Sequence, residues 1–387
     1  MKILIFHHGI IKKNGWGRTF TFAKNLSFLG NEVVFVTSST KKGFFCEKLM
    51  IDGVKIFAFK DIIPLKLLKM GFGFISFVNK IIFASIFKCD VVHTDSHRPA
   101  GYYPSLVNRF FSKSKFVIEW WDNFGYTGQL ANKKKIFKLL LGLWEARTEI
   151  SSKIKADGVV VLSDVMMHHA KEEGVLEDKI VKIHGGADID NIKYYPLNTM
   201  KVEYGLENNL TLGFIGDGDA ELGDLHPLFS VLKQINLDFN VKFVNYGKAF
   251  SQEVKNRYDI NDVIYECGWI DYSLDSSLLA ISDVFLLIKK NDNINPYGWP
   301  NKFGDYLATG RSVLLTPYGD LVDFIEEFKP SVFVSCYNEL DIYESVKAIV
   351  NKKGELEFLG MINREISEKV CSWMEKTKQL NDFYNLI

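Results

Sequence analysis

The stretch of sequence that decides the fold covers residues 295–316 and reads NPYGWPNKFGDYLATGRSVLLT. Its first part is rich in residues that prevent regular structure: Pro296, Gly298 and Pro300. After them we predict a short helix that is capped by Asn301 and ended by Gly310. An apolar strand over residues 312–316 follows. The stretch therefore predicts a loop, a helix and a buried strand, which together form a repeating unit of α/β proteins.

The start of this predicted helix suits a phosphate group. Backbone N–H groups at a helix N-terminus lack intrahelical partners, and the helix dipole adds about half a positive charge there. Lys302 supplies a full charge, and Asp305, one turn further on, can accept hydrogen bonds from ribose hydroxyls. Ordinary α/β scaffolding has the same order of elements, so the phosphate interpretation depends on the rest of the chain.

Apolar strand-like runs alternate with helical runs along the whole chain. In the first half they cover residues 3–6, 33–37, 54–59, 90–93, 116–121, 158–162 and 179–183. In the second half they cover residues 212–215, 241–245, 263–265, 284–288, 312–316 and 331–334. Such runs predict two parallel, doubly wound sheets, with the link between them near residues 186–200.

Length and composition agree with two globular domains. The chain has 387 residues, more than one hydrophobic core usually supports, and 24% of them are charged. Its five cysteines are far apart and include no Cys-x-x-Cys pair, which favours a reducing compartment over a disulfide framework. No signal peptide or membrane span is evident, so we expect a cytoplasmic protein that can contact the inner face of the cell membrane.

The zero net charge conceals an uneven distribution. Residues 1–150 carry 23 lysines and arginines against 10 aspartates and glutamates. Two segments of this region, residues 62–87 and 133–141, mix apolar and basic residues at near-helical spacing. Such helices lie in anionic membrane interfaces, although core-facing helices with a lysine fringe have the same composition. We expect a peripheral contact of the first domain with an anionic membrane, and no nucleic-acid partner.

Pro300-Asn301-Lys302 and the helix and strand after it resemble the donor-site segment of retaining GT-B glycosyltransferases (family 4-like, glycosyl transferases group 1). The segments at residues 14–18 and 179–188 are similar to the first glycine-rich loop and the last turn of that family's first domain. The resemblance covers nearly the whole chain. It implies an α/β protein with two Rossmann-like domains facing each other across a cleft.

The resemblance also implies a role for each domain. Residues 1–190, with a C-terminal helix at 372–387 that crosses back, would bind the acceptor, and residues 191–371 would bind a nucleotide-sugar donor, UDP- or GDP-linked. The family has two glutamates eight positions apart, which fall here on Tyr297 and Asp305. The resemblance implies that Asp305 keeps the ribose contact, whereas a tyrosine replaces the glutamate that contacts the sugar.

The predicted donor-binding residues come from the ends of strands and from residues 295–316. Glycine lets the backbone approach a ligand closely, and arginine can form a two-pronged contact with phosphate. The turn after residues 263–265 resembles the family's turn that reads the nucleobase with its backbone. The full set is Gly15, Gly17, Arg18, Gly216, Ile270, Lys289, Tyr297, Gly298, Asn301, Lys302, Phe303 and Asp305.

The predicted catalytic residues follow strands of the first domain. Asp122 matches the family's strand-end aspartate on the acceptor side, where a carboxylate can orient or deprotonate the attacking hydroxyl. His97 or Asp95 stands where the family has a polar residue that meets the donor phosphate or the reacting sugar. His93, inside the strand, is interpreted as a core residue. We predict no metal site, because His93 and His97 have no third ligand in the sequence.

An acidic loop follows the first strand of the second domain. It contains Asp217, Asp219, Glu221 and Asp224, where the family has cations that hold the diphosphate. Negative charge beside a diphosphate is unfavourable. We expect Lys289, Lys302 and Arg18 to compensate for it, rather than a bridging magnesium ion.

These observations predict a hexosyl-type glycosyltransferase of polysaccharide biosynthesis. It would move a sugar, with retention, from a nucleoside diphosphate to a cell-surface glycan or its lipid-linked precursor, and it would require no cofactor. Two alternatives stay open. One is a GT-B-fold epimerase of sugar nucleotides, and the other is a non-catalytic relative that only binds a sugar nucleotide or glycan.

Overall fold

The computed structural model describes residues 1–13, 16–122, 142–272, 274–292 and 294–387. The chain divides into two compact units. Unit 1 comprises Met1–His184 and Trp373–Ile387, and unit 2 comprises Gly185–Ser372. The C-terminal helix is thus part of unit 1. None of the helices in the described ranges combines the length and the apolar composition needed to cross a membrane.

Unit 1 is built on a sheet whose described strands have the order β3-β4-β2-β1-β5-β6-β7-β8. The strands are β1 (Lys2–Ile10), β2 (Glu32–Lys42), β3 (Cys46–Ile51), β4 (Val54–Asp61), β5 (Val91–Thr94), β6 (Lys115–Trp120), β7 (Gly158–Val161) and β8 (Ile180–Lys182). The helices are α1 (Trp16–Phe28), α2 (Leu65–Lys69), α3 (Ile75–Ile86), α4 (Pro99–Ser112), α5 (Leu143–Ile154), α6 (Asp164–Glu172) and α13 (Trp373–Leu386).

Unit 2 has a parallel sheet with the strand order β11-β10-β9-β12-β13-β14. The strands are β9 (Leu210–Asp217), β10 (Val241–Lys248), β11 (Ile264–Gly268), β12 (Val284–Leu287), β13 (Ser312–Leu315) and β14 (Val332–Val334). The helices are α7 (Leu222–Phe239), α8 (Gln252–Arg257), α9 (Asn301–Ala308), α10 (Asp320–Phe328), α11 (Glu339–Asn351) and α12 (Leu356–Ile366).

Both sheets reverse their strand order at one point. In unit 2 this switch point lies between β9 and β12, and in unit 1 it lies between β1 and β5. Open α/β sheets bind ligands beyond the carboxyl ends of the strands at such a point. The predicted α/β architecture with two Rossmann-like sheets is confirmed, and the switch points identify the edges on which to look for sites.

The structure differs from the sequence prediction at the edge of the unit 1 sheet. β3 was not predicted, and it pairs antiparallel with β4. The two strands form a hairpin across Asp52 and Gly53, both with positive φ, as the commonest two-residue hairpin turn requires. An outer strand with one exposed face has no continuous apolar run, so the search for buried strands missed it.

Each unit has its own hydrophobic core. In unit 1 the core joins β1, β2 and α1 to α13, whose Leu380 and Phe383 are buried. In unit 2 it joins β9, β10 and α7 to α11, with Leu228 and Val346 fully buried. Burial of a leucine or phenylalanine side chain contributes about 1.5–3 kcal/mol relative to exposure, so each sheet edge rests on a stably packed framework.

Candidate active site

The switch point of unit 2 gathers a cluster of charged side chains. Glu221 belongs to a 3₁₀ turn directly after β9, Lys289 follows β12, and Lys302 lies in the first turn of α9. The Lys289 ammonium is 3.0 Å from Glu221 Oε2 and 2.7 Å from Asp224 Oδ2, and Lys302 Nζ is 2.8 Å from Glu221 Oε1. Two lysines thus neutralise the acidic loop, as the sequence predicted for these two residues.

Glu221 is the centre of this cluster. Burial would raise the pKa of its carboxyl, but the ammonium groups of Lys302 and Lys289 outweigh burial and keep this pKa below its ordinary value. Burial lowers the pKa of Lys302, while the same carboxylate opposes that shift. Lys302 also lies 4.9 Å from the ring centroid of Phe214. The two cations are therefore held at the edge in a fixed arrangement, with an acidic partner that an anionic ligand would replace.

The start of α9 differs in detail from the prediction. Asn301 was expected to cap the helix, but it is the first helical residue, and the capping position is taken by Pro300, which offers no side-chain acceptor. The N–H of Phe303 already donates to Pro300 O at 2.9 Å, so the predicted contact of Phe303 with a ligand is not free to form in this conformation. Thr309 and then Gly310, with a φ of +70°, end the helix.

Asp305 lies in the second turn of α9 and is only partly exposed. Its Oδ1 accepts a hydrogen bond from the Asp188 N–H at 3.0 Å. Burial raises the pKa of Asp305 to about 7, and the nearby charge of Asp188 acts in the same direction. At neutral pH the carboxyl is thus near its titration midpoint, and it can both donate and accept hydrogen bonds with a ribose.

The raised pKa of Asp305 predicts a pH-dependent stability. Between about pH 4 and pH 7 the folded chain binds a proton at Asp305 that the unfolded chain has lost, so this group should make unfolding easier as the pH rises through that window. The slope is at most about 1.4 kcal/mol per pH unit. Urea unfolding of wild type and Asp305→Asn, which keeps an oxygen for the Asp188 N–H, should show a smaller fall with pH in the variant. Parallel curves would contradict the assignment.

Other predicted donor residues lie along the same edge of unit 2. Gly216 is buried near the end of β9, where a Cβ would come within 2.1 Å of the Phe214 ring, so only glycine fits. Ile270 follows the exposed Trp269 after β11. Tyr297 and Gly298 are partly buried in the loop before α9. Gly216 thus lies at the carboxyl end of β9, and Ile270 lies just beyond that of β11.

Arg18 requires a correction. The sequence placed it in a glycine-rich loop for a two-pronged phosphate contact, but α1 begins at Trp16, so Gly17 and Arg18 lie in its first turn. The Arg18 Nε donates to Glu119 Oε2 at 2.6 Å, and its other nitrogens donate to backbone carbonyls of residues 183 and 184. Three of its five N–H donors are used inside unit 1, and Glu119 is its charge partner, so the predicted two-pronged phosphate contact is not free to form in this conformation. Gly15 lies outside the described residues.

His97 and Asp95 also require corrections. Both are buried, so neither presents its side chain to a sugar or phosphate in this conformation. His97 Nε2 is 3.0 Å from Glu145 Oε1, and burial lowers the pKa of His97 to about 3. Asp95 accepts the backbone N–H of His8 with both oxygens, at 3.0 and 3.2 Å. A strand-end position did not predict how deeply the following residues turn inwards.

His93 agrees with its interpretation as a core residue. It is buried, and its two ring nitrogens contact Tyr384 Oη at 2.5 Å and Glu119 Oε1 at 3.2 Å. Glu119 also binds Arg18. This network links β5 and β6 to α1 and α13, and it explains the polar residues in the strand without a catalytic role.

Asp122 is the predicted catalytic residue that stays accessible. It is partly exposed two residues beyond β6, after Trp120, which is buried, and Trp121, which is not fully buried. The Trp121 indole N–H donates to Asp95 O at 2.5 Å, which fixes the backbone direction at the strand end. A carboxylate at the carboxyl edge of a parallel sheet is suitably placed to orient a hydroxyl.

Sequence reasoning missed several residues that shape these sites. Glu119 holds Arg18, and the backbone N–H of Asp188 donates to Asp305. Their partners lie far away in sequence, so spacing gives no signal for them. One signal was available: the consecutive pair His7-His8, which directly follows the apolar start of β1.

Comparison with known proteins gives the class. Residues 18–191 match the family model described as Glycosyltransferase Family 4. Among curated proteins, none matches the chain. Similar solved structures include sucrose-phosphate synthase from Thermosynechococcus elongatus, with a TM-score of 0.74, 12% identity, and coverage of 100% of this chain and 98% of that one.

Two further structures have related folds. HepE from Anabaena, solved in complex with UDP-glucose, has a TM-score of 0.73 at 13% identity and covers 100% of both chains. WaaG, a glycosyltransferase involved in lipopolysaccharide biosynthesis, has a TM-score of 0.69 at 11% identity, with coverage of 98% of this chain and 99% of that one. At such identities the likeness shows the fold alone.

The fold and the family match together define the class of protein. The chain has the GT-B fold. Residues 18–191 form its glycosyltransferase family 4 domain.

Proposed function

We propose that the chain transfers a sugar from a nucleoside diphosphate, with UDP- and GDP-sugars as the donor class. The observation that carries this proposal is the pair Lys289 and Lys302 at the switch point of unit 2, beside the start of α9. A diphosphate can replace Glu221 as the ionic partner of Lys302. Its oxygens can also accept hydrogen bonds from backbone N–H groups at the start of α9. Asp305, one turn further on, then meets the ribose. HepE, which has the same fold, was solved with UDP-glucose.

The reaction we propose retains the anomeric configuration. The leaving diphosphate helps to remove the proton of the attacking hydroxyl, and Lys302 stabilises the charge that develops on the phosphate. Asp122 orients the acceptor hydroxyl. Tyr297 occupies the position where the family has its first glutamate, so the sugar of the donor is held there without a carboxylate.

The acceptor we propose is a cell-surface glycan or its lipid-linked precursor. Support comes from an exposed apolar stripe on and just before α3: Phe74, Val78, Ile82 and Ile86, each four residues from the next and each at least 44% exposed. A groove of about 300 Å³ lined by Ile63, Leu67, Phe72, Gly73, Phe74, Phe77 and Pro99 adjoins it. Monomeric proteins rarely expose a contiguous apolar surface without a partner.

The occupant we propose for this apolar surface is an anionic bilayer, because residues 1–150 carry more basic than acidic side chains. Four or five cations at a membrane contribute about 4–5 kcal/mol, enough for reversible association. Within residues 62–87, the sequence predicts that Ile62, Leu65, Leu68 or Phe87 inserts into the bilayer. Ile62 and Leu65 are exposed and Phe87 is partly exposed, whereas Leu68 is buried, so the prediction is wrong for Leu68. Residues 133–141, the second predicted membrane segment, lie outside the described residues.

Membrane binding can be measured by co-sedimentation with phosphatidylglycerol vesicles. Wild type should bind at low salt and be released at high salt, when the Debye length falls below about 10 Å. Ile82→Asp should lose most of this binding, because it puts a charge into the inserted stripe. Leu176→Asp, at another exposed leucine of unit 1, should bind like wild type. Equal loss in both variants, or no binding by wild type, would favour a soluble acceptor.

The proposed transfer can be tested with a panel of UDP-, GDP- and ADP-sugars, by measuring nucleotide release with and without lipid extract. Acceptor-dependent release supports transfer, and the anomeric signal of the product in NMR reports retention. Epimerised donor without release would indicate a sugar-nucleotide epimerase. Donor binding without any conversion would indicate a non-catalytic relative.

A further inference from the structure

β1 is irregular where its two consecutive histidines lie. Between Phe6 and Ile10 this strand advances by four residues while its neighbour β2 advances by two. In a regular strand, successive side chains point to opposite faces of the sheet. The extra residues interrupt that alternation, so His7 and His8 can both turn towards Asp95 at the end of β5.

These three side chains form a compact donor set at the switch point of unit 1. Asp95 Oδ2 is 2.9 Å from His8 Nδ1 and 3.8 Å from His7 Nε2. One nitrogen or oxygen of each residue lies within 4.8 Å of the others. Bonds of about 2.0–2.2 Å to a tetrahedral ion place its ligand atoms roughly 3.4 Å apart, so small side-chain shifts suffice to surround an ion.

The His7 ring is oriented by Thr37, whose hydroxyl lies 2.9 Å from His7 Nδ1 and 3.2 Å from Gly9 O. The other ring nitrogen, Nε2, lies 3.8 Å from Asp95 Oδ2. A cation at this place would be attracted both to a neutral ring nitrogen and to the carboxylate.

The surroundings match those of metal-binding histidines. Such residues usually use their second ring nitrogen in a hydrogen bond that orients the ring, as His7 does with Thr37. His7 and Asp95 are buried, whereas the His8 side chain is 8% exposed and is the most accessible of the three. The Trp121 ring lies 6.3 Å from His8, at the same strand edge as Asp122.

We propose that His7, His8 and Asp95 bind one divalent transition-metal ion, with a fourth position open to water. Two imidazoles and one carboxylate are ligands suited to Zn²⁺ and its neighbours in the first row. The proposal goes beyond sugar transfer and does not depend on it. It departs from the sequence-based expectation that the chain has no metal site.

The test is zinc binding by the full chain after chelator treatment, measured by equilibrium dialysis with elemental analysis. We expect one zinc per chain. His8→Asn should weaken binding by at least about 100-fold, and Thr37→Val, which removes only the orienting hydroxyl, by about 10- to 100-fold. His168→Asn is the matched control, because His168 is exposed and distant in sequence from the three ligands. It should bind like wild type.

Folding of each variant is checked by circular dichroism without metal, and X-ray absorption at the zinc edge should report nitrogen and oxygen ligands that include two imidazoles. If His8→Asn fails to fold, zinc binding by Thr37→Val and the X-ray absorption spectrum still test whether these residues bind the ion. Absence of zinc from wild type, equal binding in wild type and the folded variants, or loss in His168→Asn would overturn the proposal.

Discussion

Replacing Asp122 by asparagine is expected to lower turnover by about 10²- to 10⁴-fold while donor affinity stays nearly unchanged. The carboxylate is partly exposed beyond the end of β6, where it can orient the attacking hydroxyl. An amide keeps the size of the side chain but loses the charge and one acceptor. Steady-state turnover and calorimetric donor binding, measured on the same preparation, separate the two effects.

The matched control for this substitution is Asp52→Asn. Asp52 lies in the β3–β4 turn with a φ of +47°, a conformation that asparagine adopts readily, so stability and turnover should both be preserved. Asp122 would have a structural role instead if donor affinity in Asp122→Asn fell to the same degree as turnover.

The second large effect is expected at Lys302. Lys302→Ala should weaken binding of a nucleoside diphosphate by roughly 1.5–3 kcal/mol, or about 10- to 150-fold, the scale of a charge-assisted hydrogen bond. In the ligand-free chain this ammonium binds Glu221 at 2.8 Å, and a diphosphate must compete with that carboxylate. Calorimetric titration with UDP and GDP measures the change.

Glu221→Gln provides a test with the opposite sign. It removes a like charge beside the diphosphate and releases Lys302 from its carboxylate partner, so affinity should rise. Lys347→Ala, a change on the surface of α11, serves as the control for loss of one positive charge. Equal affinities of Lys302→Ala and wild type, or weaker binding by Glu221→Gln, would remove the phosphate role from this edge.

The fold could be predicted because buried parallel strands are continuous apolar runs, as at residues 3–6 and 284–288. β3 was not predicted because an outer strand has no continuous apolar run. The Asp52-Gly53 sequence does match a common hairpin turn. Helix α1 already includes Trp16, whose ring packs against Phe20 and Phe35. Tertiary packing therefore determined a boundary that local glycine content misjudged.

The candidate sites were predictable only in part. Lys289 and Lys302 lie where the acidic loop needs them, since charge compensation follows from the sequence. Arg18 and Glu119 are 101 residues apart, and no spacing rule indicates that this arginine is already paired. The burial of His97 likewise depends on Glu145 from α5. Side-chain partners that are distant in sequence are set by the packed fold, which only the structure reveals.

The central claim is that the carboxyl edge of unit 2 holds the diphosphate of the donor. A crystal structure of the chain with UDP or GDP tests it most directly. We expect phosphate oxygens within hydrogen-bond distance of Lys302 Nζ and of the backbone N–H groups at the start of α9. The ribose should lie at Asp305, and the ion pair between Lys302 and Glu221 should be broken. A nucleotide bound away from this edge, with that pair intact, would contradict it.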